Sequence, residues 1–142
     1  RMLGERPLSR KELVRRLTEK GETPENAEAA ADWLADIGAL DEAGYARSVV
    51  RHYSGRGYGI QRIRQELYRR GIPREFWEDA MEERSDPDER ITAFLNQKMR
   101  GHENDPKQLK RAADALLRRG FRWEEIRAGL NRYGANIEEE SL

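Results

Sequence analysis

Cysteine is absent from the 142 residues, and histidine occurs only at His52 and His102. Without thiols there is no disulfide framework, no thiolate nucleophile and no cysteine-ligated zinc or iron–sulfur centre. Two histidines far apart in sequence do not by themselves suggest a metal site. Long apolar runs are missing as well. No stretch approaches the ~20 residues that cross a bilayer, and no signal peptide precedes the first charged segment, so the expectation is a cytosolic protein without membrane contact. The start at Arg1 rather than Met points to a fragment of a longer chain. Charge is what the sequence has in quantity: 38% of residues are charged and the mean hydropathy is −1.02, so the core must be lean. Three Trp, five Tyr and regularly spaced aliphatics nonetheless exclude a disordered polymer. A folded chain of this length buries roughly 70% of its unfolded surface.

The formal net charge of zero conceals blocks of one sign. Residues 1–18 carry +4, 19–44 carry −7, 47–74 carry +7, 75–89 carry −7, 90–122 carry +6 and 123–142 carry −3. Alternation usually marks a solvated surface, but blocks this pure also build opposite electrostatic faces on a folded body. Of the 27 basic residues 22 are Arg, whose planar fork suits phosphate and carboxylate partners. High genomic G+C content favours Arg codons too, so abundance alone does not assign a role.

Apolar residues recur at helical spacing throughout, and nothing alternates with period two for long enough to be a strand. Ser9 with Glu12 forms a capping-box pattern; Thr23-Pro24, Asp86-Pro87 and Asp105-Pro106 place a cap before a first-turn proline. Gly21, Gly38, Gly55, Gly71, Gly101, Gly120 and Gly134 follow the periodic segments as stop signals. These signals predict eight helices, at about 9–20, 24–37, 41–54, 59–70, 73–84, 87–100, 106–119 and 123–133. Gly21, Gly71 and Gly120 lie 50 and 49 residues apart, each preceded at four positions by Leu17, Leu67 or Leu116. Leu13, Ile63 and Ala112 match eight positions before the glycine; Ala27, Trp77 and Ile126 match after it. The fold class expected is all-α, with tandem three-helix repeats stacked into an elongated or curved body. Its divisions are 1–55, 56–104, a partial two-helix copy at 105–135 and an acidic tail at 136–142. Ile60, Ile63 and Leu67 fall on one face of the second copy's first helix, with Arg62, Glu66 and Arg69 on the other. Trp33, Trp77 and Trp123 are expected in the core.

Catalysis finds no support in these residues. Gly55, Gly57 and Gly59 lack the strand of a dinucleotide site and the Gly-Lys-Ser/Thr of a P-loop, so they are expected to form a flexible link or angular hinge. The acid pairs Glu82-Glu83 and Glu124-Glu125 lack an apolar pocket that would split their titration. No enzyme activity and no cofactor are predicted.

Four ordered signatures carry a family resemblance. They are Ser9-Arg10-Lys11-Glu12-Leu13 through Leu17 to Lys20-Gly21; Leu34, Ile37, Gly38, Leu40, Asp41, Tyr45 and Ala46; Gly57, Tyr58, Gly59, Ile63, Glu66, Leu67, Arg70, Gly71 and Ile72; and Leu117-Arg118-Arg119-Gly120-Phe121 with Ile126. Together they resemble the RecX regulatory proteins, bacterial modulators of the RecA recombinase, over nearly the whole chain. Two positions depart from the pattern: Glu42 stands where a second Asp is common, and Gly44 where a basic residue is. The resemblance implies a monomeric protein that binds the RecA filament and inhibits its ATPase, strand exchange and coprotease activity, with weak binding to single-stranded or double-stranded DNA alone. The residues expected to face filament and DNA are Arg47, Arg51, Arg56, Arg62, Arg64, Arg69, Arg70 and Arg74, as one electropositive surface, with Arg118 and Arg119 from the third copy. Any single Arg reads better as a local i,i+4 partner on a solvated surface; the block as a whole, with Glu66 as its only acid, favours binding. The competing expectation is a stand-alone DNA binder of helix-turn-helix type, and a third is a helical scaffold.

Overall fold

Hydrogen bonds at the helix ends set the architecture. In the computed structural model, which describes residues 7–134, eight α-helices and no strand occur among the described residues. They are α1 (Arg10–Glu19), α2 (Pro24–Asp36), α3 (Glu42–Gly55), α4 (Ile60–Arg69), α5 (Trp77–Ala80), α6 (Pro87–Lys98), α7 (Pro106–Arg118) and α8 (Trp123–Tyr133). The tail expected at 136–142 lies outside the described residues. Ser9 Oγ accepts the Glu12 N–H at 3.1 Å and Glu12 accepts the Ser9 N–H at 2.9 Å, so two first-turn donors of α1 are satisfied reciprocally. Thr23, Asp86 and Asp105 cap α2, α6 and α7, each with a proline in the first turn.

One predicted helix is shorter than its periodicity suggests. The segment expected at 73–84 contains the single turn α5, with 3₁₀ turns at Arg74–Phe76 and Met81–Glu83 on either side. Pro73 offers no side-chain cap, and Glu78 with Glu82 and Asp79 with Glu83 set like charges four residues apart. Those repulsions, and carboxylates facing the negative end of the dipole, work against a longer α-helix.

The repeat in the sequence is a repeat in hydrogen bonding. Glu22 N–H donates to Leu17 O (3.0 Å), Ile72 to Leu67 (3.1 Å) and Phe121 to Leu116 (3.2 Å), the same closure around Gly21, Gly71 and Gly120. All three glycines hold the positive φ this turn requires. Gly55 departs from its expected role: it lies inside α3, and Gly57 takes the left-handed position at φ +88. The glycine stretch is also pinned rather than left as a hinge, since Gly59 N–H donates to Arg119 O (2.8 Å) and Gln61 N–H to Gly120 O (2.9 Å).

The chain divides into two compact units, each made of separated stretches. The first takes the described residues through Val50 with Arg64–Glu83, and the second takes Arg51–Ile63 with the described residues from Arg84 on. One contact recurs in both: the start of one copy's first helix seats on the glycine turn that ends the next copy's. In the first unit Ser9 Oγ donates to Arg70 O, and a Cβ on Gly71 would lie 2.7 Å from Lys11. In the second, Gly59 and Gln61 bond to Arg119 and Gly120, and a Cβ on Gly120 would lie 2.5 Å from Arg62 N. This pairing of starts with ends is why neither unit is one continuous stretch.

The first unit buries Leu8, Leu13, Ala31 and Leu40 as a cluster, against which Val14, Leu17 and Leu34 pack. Small Ala27 and Ala31 form the buried stripe of α2 and let it lie close to α1. That choice leaves Trp33 on the outer face, 61% exposed, where the sequence suggested core. Trp77 is buried as expected, and Trp123 packs half-buried on the second core. That core joins Ile91 and Leu95 of α6, with Met99 at its C-cap, to Leu116 of α7 and to Ile126 and Leu130 of α8. Burial stabilises each such side chain by roughly 1.5–3 kcal/mol. Gly129 is required there, because a Cβ would overlap Ile91.

Candidate functional site

Five of the ten arginines singled out in the sequence belong to the first unit: Arg47, Arg64, Arg69, Arg70 and Arg74. Arg47 is half-buried on α3. Trp77 organises two of the others. Its indole N–H donates to Ile72 O at 2.9 Å, which fixes the ring, and the guanidiniums of Arg64 and Arg74 lie 5.3 and 4.9 Å from its centroid. Glu66 organises Arg69 and Arg70. It is 5% exposed rather than on the solvent face the helical wheel suggested, and it accepts from Arg69 at 2.7 Å with Arg70 Nε at 3.5 Å. Arg70 also donates to the Tyr45 hydroxyl at 3.0 Å. Burial pushes the Tyr45 phenol above its ordinary value, with the Arg70 hydrogen bond opposing that shift. Glu42, the departure at the α3 corner, accepts the Arg10 N–H at 2.9 Å, while the Arg10 side chain pairs with Glu28 and Asp32. The corner is therefore tied by a carboxylate to a backbone donor.

The second unit holds Arg51, Arg56, Arg62, Arg118 and Arg119. Arg51, Arg56 and Arg118 are exposed. Arg62 lies 4.8 Å from the Tyr58 centroid and 5.7 Å from that of Tyr53. Arg119 lies 5.8 Å from Tyr58 and 5.3 Å from Phe94, and its Nη1 donates to Arg56 O at 3.4 Å. Gly57 makes room for it, since a Cβ there would come within 3.1 Å of that nitrogen. Aromatic faces orient Arg64, Arg74 and Arg119 in these contacts without cancelling their charge, and so leave N–H forks for an external anion.

Arg56 and Arg119 also line a concave pocket of about 580 Å³ in the second unit. Arg90, Lys98, Arg100 and His102 line it with them, and no carboxylate does. Sequence reasoning did not single out Arg90, Lys98 or Arg100, and considered His102 only to set aside a metal role. A signal was present, since Arg90, Phe94, Gln97 and Lys98 fall at helical spacing along α6 within the +6 block. Among the described residues no cluster of three His, Asp or Glu suited to a metal occurs, and no helix is long and apolar enough to cross a membrane.

Comparison with known proteins bears on this arrangement. Residues 41–81 match the family model described as RecX, second three-helix domain. The chain is 38% identical over 122 residues to regulatory protein RecX of Pseudomonas putida (strain GB-1), covering 84% of this chain and 78% of that protein. It is also 38% identical over 130 residues to regulatory protein RecX of Xanthomonas axonopodis pv. citri (strain 306), covering 89% and 80%. The crystal structure of RecX from Lactobacillus salivarius superposes with a TM-score of 0.84 at 20% identity, over 94% of this chain and 90% of that one, and shows the same helical fold.

Proposed function

The chain belongs to the RecX family of regulatory proteins, and from that premise we propose that it binds the RecA nucleoprotein filament and restrains its ATPase, strand exchange and coprotease activity. It does so without catalysis of its own, as a cytosolic monomer. The observation that carries this reading is the set of guanidiniums set against aromatic rings, Arg64 and Arg74 at Trp77 and Arg119 near both Tyr58 and Phe94. Such groups present charge to DNA phosphates and to acidic protein groups without first having to break an ion pair. The copies at 1–55, 56–104 and 105–135 repeat a contact element, and a molecule that engages neighbouring filament subunits gains avidity from the repetition. Inhibition then follows from binding one filament state better than the one that accompanies turnover.

The test is RecA ATPase on saturating single-stranded DNA, with wild type and with Arg74→Glu/Arg118→Glu. Both positions are exposed, and Trp77 keeps its hydrogen bond to Ile72 O when Arg74 is replaced. Substituting Arg69 or Arg70 would remove an ion-pair partner of the buried Glu66 and mix stability with binding. Wild type is expected to lower turnover and the double variant to inhibit at least tenfold less well. Turnover unchanged by wild type would overturn the reading. A stand-alone DNA-binding role would instead give tight, steeply salt-dependent DNA affinity with no effect on the filament.

A further inference from the structure

We infer that the pocket of the second unit is a phosphate site that seats the backbone of a single nucleic-acid strand. The inference rests on the filament reading for its biological setting, but the geometry that carries it lies wholly within the second unit. Cations reach the pocket from separate elements: Arg56 beyond α3, Arg90 and Lys98 from α6, Arg100 and His102 from the loop after α6, and Arg119 from the end of α7. Five permanent positive charges converge with no lining carboxylate, an arrangement stable only beside water or an anion. Four of the five are Arg, whose fork matches phosphate oxygens bidentately.

Three features select a strand. A cavity of about 580 Å³ is too small to admit a duplex but suits a few linked backbone units. The cations come from four separate segments of the chain, which fits repeated charges along a strand. The one aromatic at its edge that is not deep in the core, Phe94, has Lys98 Nζ at 5.6 Å and Arg119 at 5.3 Å from its centroid. With cations against that ring, no bare stacking platform is left for the base of a free nucleotide, and recognition falls on the backbone without sequence preference.

The experiment is fluorescence anisotropy of a labelled oligothymidylate of about 12 nucleotides, within the usual site size for single strands. It compares wild type with Lys98→Gln/Arg100→Gln, and with Arg15→Gln/Lys20→Gln as a charge-matched control in the first unit. All four substituted side chains are exposed, and Arg56→Gln serves as a second pocket variant if the first does not fold. Four phosphate contacts predict a slope of about −2.8 in log K against log salt, or about 50-fold weaker binding at 200 than at 50 mM. Removing two contacts should bring the slope to about −1.4, with affinity at low salt at least tenfold lower and the control unchanged. Equal slopes for wild type and the pocket variant would overturn the site, as would no binding by wild type at low salt. Displacement by inorganic phosphate or ATP as effectively as by unlabelled strand would make the ligand a free phosphate and overturn the strand assignment. Equal displacement by polyglutamate would make it an acidic peptide, with the same result. The RecA ATPase assay separates the two failures: inhibition that persists when the pocket fails leaves the filament reading standing, and strand binding without inhibition leaves only the pocket.

Discussion

Single residues decide where the helix ends meet. Ser9 is fully buried, caps α1 and donates to Arg70 O, so Ser9→Ala removes both the cap and the hydrogen bond to Arg70 O. A loss of about 2–3 kcal/mol is expected from urea unfolding. Gly120→Ala forces an Ala into φ +98 and drives its Cβ against the Arg62 backbone, for an expected loss of about 2–4 kcal/mol by the same measurement. Tyr45 gives a pH signature. Its phenol titrates above the ordinary value near 10 because it is buried, so the unfolded chain loses that proton first as pH rises. The stability is therefore present below about pH 10 and is lost as pH climbs towards the folded-state value. Urea midpoints recorded from pH 8 upwards should fall more steeply for wild type than for Tyr45→Phe. The capping box and the glycine turns were legible in sequence because their partners lie within six residues. The burial of Glu66 was not, because its place on α4 looks solvent-facing until other elements of the unit cover it.

At the scale of elements, α5 and α2 show what periodicity omits. Apolar spacing predicts one helix over 73–84, yet repulsion between carboxylates four apart limits α5 to a turn. Glu82→Lys would replace repulsion with attraction towards Glu78 and is expected to lengthen the helix, adding about 0.5–1 kcal/mol. Far-UV circular dichroism with urea titration checks both. On α2, the small stripe of Ala27 and Ala31 takes the core side, and Trp33 and the C-cap residue Ile37 lie outside at 61% and 56% exposure. A hydrophobicity pattern ranks a large aromatic above an alanine, whereas close helix approach favours the alanine. The other helices were legible because their large aliphatics and their inward faces coincide, as with Ile91 and Leu95 of α6 and Met99 at its C-cap.

For the whole molecule, the copies seen in sequence and the units seen in packing are different divisions, because each copy's opening helix pairs with the close of the next. Sequence self-similarity shows the copies; only the long-range seats of Ser9 on Arg70 and of Gly59 on Arg119 show the units. A chain ending at Gly101 would keep every part of the first unit but lose Leu116, Ile126 and Leu130 from the second core. Hydrogen exchange should then show α6 amides unprotected while α1 and α2 keep their protection. The pocket was partly legible as a basic block, but its walls come together only when α6 and the end of α7 fold against the segment around Arg56. The interleaving also affects synthesis on the ribosome. The first unit cannot close until Glu83 has emerged, and by then Arg51–Ile63 are already outside, waiting for partners that have not been translated. Ile63, fully buried in the finished protein, is exposed during that interval, so the pace of translation between the two halves bears directly on how much nascent chain survives to fold.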